Sequence, residues 1–276
     1  MRLLALLSAL LVSAFVVPSA ATPAASASVP IRPRWASQRI LELDRTGSGE
    51  VVVALGDPGT AHHVAVIVPG VGINLTTFDD PENPARRPYG MALSLSHVAP
   101  DTAVIAWLGY RPPEGVGLAA ATGARAREGA TALRRFMGQV RRQARPDANI
   151  ALVCHSYGTV ACGDAAPGLP VDDLMLLGSP GARVPSAAAL RIPGQVWAAT
   201  AATDWIRWVP HVRIGDLGHG PDPSARAFGA RALPTTGVSG HDGYFAGNSS
   251  TLTAIAAVIT RRVGNLSTPS PVSRHT

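Results

Sequence analysis

The sequence predicts an α/β protein whose core is a mostly parallel sheet with helices on both faces. Three observations carry this expectation. After two opening strands, short β-branched runs alternate with segments of helical period, an order that builds a parallel sheet through crossover connections. The runs His63–Val68, Thr102–Leu108 and Ile150–Val153 are almost wholly apolar, as strands are when both faces are covered. Between a Pro/Ala/Ser-rich stretch ending near Ser37 and a polar tail from Leu266 lie about 225 residues, a length that one such domain commonly fills.

The elements follow in order. Arg39–Leu43 and Glu50–Leu55 read as two strands joined by the turn-forming run Asp44-Arg45-Thr46-Gly47-Ser48-Gly49, a hairpin-type opening. A third strand, His63–Val68, ends in Pro69-Gly70-Val71-Gly72, and a helix around Gly90–His97 leads to the fourth at Thr102–Leu108. From Val116 to about Arg145, small and apolar residues recur with arginines between them at helical period, which predicts the longest helix. Ile150–Val153 forms the next strand and Thr159–Ala166 continues as a helix; strands follow at Leu174–Leu177 and Gln195–Ala199, then a last helix from about Ser250 to Val263. With no internal repeat and no second boundary, one domain is expected over residues 38–265, with a disordered tail over 266–276.

The first residues read Met1-Arg2, an apolar run Leu3–Val17, then Pro18-Ser19-Ala20-Ala21. A positive start, a short apolar stretch and small residues before the break describe a secretory signal, and the run is short of the roughly 20 residues that span a bilayer. Cleavage is expected after Ala21, or alternatively after Ala27, with residues 22–37 as a disordered linker and the mature chain secreted or held in the cell envelope. Membrane contact is expected only through the signal.

All 24 basic residues are arginine. Without lysine there is no Schiff-base chemistry, no serine–lysine dyad and no phosphate-loop lysine. The net charge of +6 favours anionic surfaces. Arg134, Arg135, Arg141, Arg142 and Arg145 cluster at helical spacing and read as a solvated helix face, since no recognition motif accompanies them and no nucleic-acid partner is expected. No closely spaced group of His, Cys and carboxylates appears, so neither a metal nor a cofactor is expected.

Residues 149–158, Asn-Ile-Ala-Leu-Val-Cys-His-Ser-Tyr-Gly, run from an apolar strand into a sharp turn with Ser156 at its tip. A strand–turn–helix elbow strains its central serine and lifts the hydroxyl above the sheet edge, where an acyl-transfer nucleophile must stand. The elbow needs small residues two positions either side of the serine, because larger ones collide where helix folds back on strand. Gly158 fits. Cys154 stands where a first glycine is usual and is small enough to serve. Cys154 and Cys162 either form a disulfide tying the strand end to the following helix or remain two small buried thiols; the spacing leaves both open.

From Arg39 to Val263 the chain resembles the α/β-hydrolase superfamily. Its His-Ser-Tyr-Gly elbow, the Thr-Asp-Trp-Ile segment at 203–206 and the Gly-His-Asp-Gly-Tyr segment at 240–244 resemble an actinobacterial family of secreted α/β-hydrolases of unassigned function. The resemblance implies a chain order of nucleophile, acid, histidine, with the last two in loops after late strands. Asp204 follows the Gln195–Ala199 strand and His241 precedes the last helix, so Ser156, Asp204 and His241 are expected as nucleophile, orienting acid and general base. His219 is the rival base, Asp216 and Asp222 the rival acids; His155 adjoins the serine but points elsewhere on the turn, and Asp172 and Asp173 lie at the wrong end of the sheet. The oxyanion donors are expected at the backbone of Tyr157 and in the glycine-rich turn at Val71 or Gly72.

Only Gly178–Gly194 intervene between two late strands, where many lipase-like members carry a large cap, so no large cap domain is expected. A shallow, open cleft follows, suited to an accessible or polymeric ester, with Trp205, Trp208, Tyr244 and Phe245 expected on its apolar rim. The expected activity is carboxylic-ester hydrolysis through an acyl-enzyme. Thioester hydrolysis and acyl transfer use the same intermediate, and a catalytically silent fold binding an envelope ligand is the alternative from another class.

Overall fold

The computed structural model describes residues 33–261. The expected signal peptide, most of the expected linker and the tail over 266–276 lie outside these residues, and the last helix, expected to reach Val263, ends at Ile259. The linker gives way to the domain earlier than residue 38: Arg34–Ser37 form a 3-10 turn, because Trp35 is buried edge-on against Phe78, ring centroids 6.2 Å apart.

Strands β1 (Arg39–Asp44) and β2 (Glu50–Leu55) form the expected antiparallel hairpin, and β2 runs antiparallel to β4 (Thr102–Leu108). From there the sheet is parallel through β3 (His63–Val68), β5 (Asn149–His155), β6 (Asp173–Leu177), β7 (Gln195–Ala199) and the short β10 (Arg231–Ala232), in the order β1-β2-β4-β3-β5-β6-β7-β10. Alternation along the strands sorts side chains to two cores. Val64, Val66, Ile105 and Leu152 pack under α3 (Ala124–Gln143) and α4 (Gly158–Ala165) through Leu133, Phe136, Met137 and Val160. On the other face Ile67, Val153 and Met175 pack under α1 (Pro88–Val98) and α5 (Ser250–Ile259) through Met91, Leu95, Leu252 and Ile255.

The expected helix from Val116 to Arg145 is broken. A single turn, α2 (Leu118–Ala121), is separated from α3 at Thr122 and Gly123. Two tertiary contacts override the helical period here: the Tyr157 hydroxyl donates to the Thr122 carbonyl at 2.8 Å, and the Arg183 guanidinium occupies the space where a side chain at Gly123 would stand. Cys154 and Cys162 are joined by a disulfide with Cα atoms 6.6 Å apart, linking the end of β5 to α4.

A small hairpin, β8 (Arg213–Ile214) and β9 (Leu217–Gly218), lies outside the sequence expectations. It is pinned from below: buried Arg183 meets Asp216 at 2.7 Å and Asp164 at 3.5 Å, and Arg127 meets Asp216 at 2.6 Å. These ion pairs hold the segment from Trp205 to His219 over the carboxyl ends of the strands, where open α/β sheets place their ligands.

Candidate active site

Ser156 has a left-handed backbone, φ +56°, a conformation that costs an L-residue roughly 1–3 kcal/mol and persists only where surrounding structure enforces it. The enforcement is visible. The Ser156 N–H is held by the Leu177 carbonyl at 2.9 Å, α4 starts two residues later, and a Cβ on Gly158 would come within 2.5 Å of the Val68 carbonyl oxygen. Because Val68 pairs with Cys154 across β3 and β5, the turn at 69–72 and the elbow emerge side by side. Gly70 is the point of closest approach, where a Cβ would meet Ser156 Cβ at 2.6 Å and Oγ at 2.9 Å.

The structure brings Ser156, His241 and Asp204 together. The Ser156 hydroxyl lies 2.7 Å from His241 Nε2, and His241 Nδ1 lies 2.8 Å from Asp204 Oδ1, so one tautomer, protonated at Nδ1, satisfies both contacts. Asp204 is wholly buried and also accepts from the Ile206 N–H at 2.9 Å and from the Tyr244 hydroxyl at 2.6 Å. Burial pushes its pKa upward, but the hydrogen bonds from His241, Tyr244 and Ile206 outweigh it and hold the carboxyl below its ordinary value. The capping use of aspartate and the contact with histidine therefore coincide in one residue.

The rivals are engaged elsewhere. His219 donates Nε2–H to the Ala120 carbonyl at 2.7 Å, Asp216 is the hairpin's anchor, and Asp222 accepts from the Ser224 N–H at 2.8 Å. Asp172 accepts from the Ile150 N–H and Asp173 from Trp197 Nε1. His155 is buried and donates Nε2–H to the His241 carbonyl at 2.8 Å, so it fastens the loop that carries the imidazole. Burial, then the neighbouring His241, pushes the pKa of His155 down to about 3.

Of the expected oxyanion donors, Gly72 is spent: its N–H is bonded to the Pro113 carbonyl at 2.8 Å. The N–H groups of Val71 and Tyr157 have no hydrogen-bond partner among the described residues, and both residues line a cavity of about 320 Å³ that Ser156 also lines. That cavity corrects the expectation of a shallow cleft. No cap lies in 178–194, but walls come from Val116–Ala121, expected as the start of the long helix, and from the segment Trp205–His219, to which sequence patterning assigned no element. The rim expectation divides. Trp205 lines the cavity and its ring covers His241 at 4.8 Å, whereas Trp208 is exposed outside the cavity walls. Tyr244 and Phe245 are corrected: at 0% and 1% exposure they belong to the core under α5, and Tyr244 acts on Asp204. Alternating Val212, Ile214 and the following Leu217 in an otherwise polar stretch were the available sequence signal for the missing wall.

A family model described as alpha/beta hydrolase matches residues 44–214. Two uncharacterized proteins from two strains of Mycobacterium tuberculosis are 32% identical over 225 residues. The match takes in 71% of this chain and 34% of each relative, so the chain spans about a third of the length of the curated relatives it matches. Solved structures similar to it include an α/β serine hydrolase without lid from Xanthomonas campestris, at 16% identity and TM-score 0.47 over 85% of this chain and 97% of that one. A carboxylesterase from Mesorhizobium loti is similar at 15% identity and TM-score 0.49, over 81% of this chain and 98% of that one.

Tyr244→Phe deletes one donor to the buried carboxylate and leaves the Ala201 N–H, 3.0 Å from the hydroxyl, unpaired. The rate at which a fluorophosphonate labels Ser156 is expected to fall about ten-fold or more and the unfolding free energy to drop by about 1.5–3 kcal/mol; an unchanged labelling rate contradicts the role given to Tyr244.

His155 binds its proton in the unfolded chain near its ordinary 6.5 but in the folded chain only near 3. Its contribution is therefore complete above about pH 6.5 and is lost as pH falls toward about 3, at up to about 1.4 kcal/mol per pH unit. Asp204, also depressed, acts only below its ordinary 3.8. Urea unfolding at pH 7 and pH 5 should show that His155→Gln removes about 2 kcal/mol of the parent's acid destabilisation; equal acid sensitivity of the two proteins contradicts the assignment. His219, lowered by burial, contributes in the same direction in both.

Proposed function

We propose that this chain, which belongs to the alpha/beta hydrolase family matched over residues 44–214, is a serine hydrolase cleaving carboxylic esters through a covalent acyl-enzyme on Ser156. The observation that carries the proposal is the unbroken hydrogen-bonded series Ser156–His241–Asp204, 2.7 and 2.8 Å, at the wall of an apolar cavity. His241 Nε2 takes the hydroxyl proton as Oγ attacks the ester carbonyl and returns it to the leaving alcohol; water then repeats the cycle on the acyl-enzyme. Asp204 fixes the Nδ1–H tautomer and stabilises the imidazolium formed in between. The free N–H groups of Val71 and Tyr157 supply the oxyanion site, where one donor is worth about 2.7–4 kcal/mol of barrier.

The cavity walls supplied by Val116, Ala120, Ile206 and Leu217 favour an ester with an apolar chain. The same chemistry serves thioesters or an acceptor alcohol in place of water. Export belongs to the proposal: the apolar run Leu3–Val17 and the Cys154–Cys162 disulfide both support an oxidising, extracytoplasmic setting.

Incubation with a fluorophosphonate probe should label the parent protein at Ser156, as read by peptide mass spectrometry, and Ser156→Ala should remove the label. Labelling that survives the substitution overturns the nucleophile assignment.

A further inference from the structure

The mouth of the cavity is ringed by apolar side chains that face water. Val116, Leu118 and Ile214 are 75–78% exposed and Trp208 85%; Val212, Leu217 and Trp205 are exposed beside them. Val116, Trp205, Val212, Ile214 and Leu217 also line the cavity, while Leu118 and Trp208 adjoin lining residues at Gly117 and Val209. Scattered surface apolar residues are ordinary, but a contiguous set of this size around one opening marks an interaction site. Among the described residues these seven stand with only Ile40, Leu43 and Val98 as exposed large hydrophobics, so the collar holds most of the apolar exposure.

We propose, building on the serine-hydrolase function above and in place of the expectation that only the signal meets a membrane, that this collar docks on a lipid–water interface and that the substrate is a lipid ester drawn from that surface into the cavity. Three features choose this occupant over another protein or a second copy. The collar is continuous with the cavity that Ser156 lines, so whatever covers it must also be able to enter toward the hydroxyl. Its two tryptophans stand at the ends of one short turn, Trp205–Trp208, and indole is the side chain that prefers the headgroup level of a membrane. The charge around it fits: Arg207 lies between those tryptophans and Arg213 lies in the hairpin, both exposed, and Asp216 is matched by Arg127 and Arg183, which favours anionic lipid. The ion pairs below the hairpin hold the collar in place without apolar support from above.

The test uses the full-length Ser156→Ala protein, so that no lipid is consumed, and measures flotation with phosphatidylcholine vesicles with and without phosphatidylglycerol. Binding is expected, stronger with the anionic lipid, and the further substitutions Trp208→Ser and Leu118→Ser should weaken it by about ten-fold or more. In the active protein the same pair should lower turnover of an emulsified long-chain ester while hydrolysis of a short soluble ester stays within about two-fold. Vesicle binding that is absent, or unmoved by the pair, overturns the proposal, as does a dimer by sedimentation that the pair dissociates. A protein that binds vesicles but hydrolyses neither ester keeps the interface and removes the enzyme, so the two failures are separable.

Discussion

The left-handed turn at Ser156 is the constraint on which the rest of the site depends. Its φ of +56° aims the hydroxyl away from the sheet and frees the N–H of Tyr157 at the start of α4. An L-serine holds that conformation only because the chain on every side leaves it no alternative. The Leu177 carbonyl takes its N–H, Gly158 lets α4 pass the β3 carbonyls, and Gly70 lets the neighbouring turn come within contact of the hydroxyl. The Cys154–Cys162 disulfide spans the same turn from below. Much of the sequence around the elbow thus serves to hold one unfavourable dihedral, and the energy stored there comes from burial in β5 and α4.

The second layer is electrostatic. A buried carboxylate is costly unless fully hydrogen-bonded, and Asp204 receives three donors from His241, Tyr244 and Ile206. Those donors come from two loops, after β7 and before α5, so pairing the charge also fixes the loops against each other. His155 adds a third tie by bonding the His241 carbonyl. The imidazole is accordingly fixed at both ring nitrogens and at its backbone, which is the preorganisation that the proposed general-base role requires. Stability and chemistry draw on the same bonds here.

Much of this was legible in the sequence, for identifiable reasons. The strands were visible because burial on both faces leaves continuous apolar runs, and Ser156, Asp204 and His241 were visible because an elbow and two late loops are fixed by chain order. What tertiary contact decides was not legible. The break at Thr122 and Gly123 depends on Tyr157 and Arg183 arriving from elsewhere in the chain. Gly72 looked like an oxyanion donor until Pro113 claimed its N–H. Tyr244 and Phe245 looked like rim because aromatic residues near a loop histidine carry no mark of the direction they face, and the structure buries both. The wall built by Val212–His219 rests on ion pairs to Asp216 whose partners, Arg127 and Arg183, are distant in sequence.

The proposed action of Ser156 and His241 as one unit is tested most directly by a double-mutant cycle on kcat/KM for a soluble ester. Ser156→Ala and His241→Ala should each cost at least about 10⁴-fold, and the double variant should be no slower than the more damaged single one, since either change alone disables the proton transfer. Losses that multiply in the double variant would mean that the hydroxyl and the imidazole work independently, and would contradict the account.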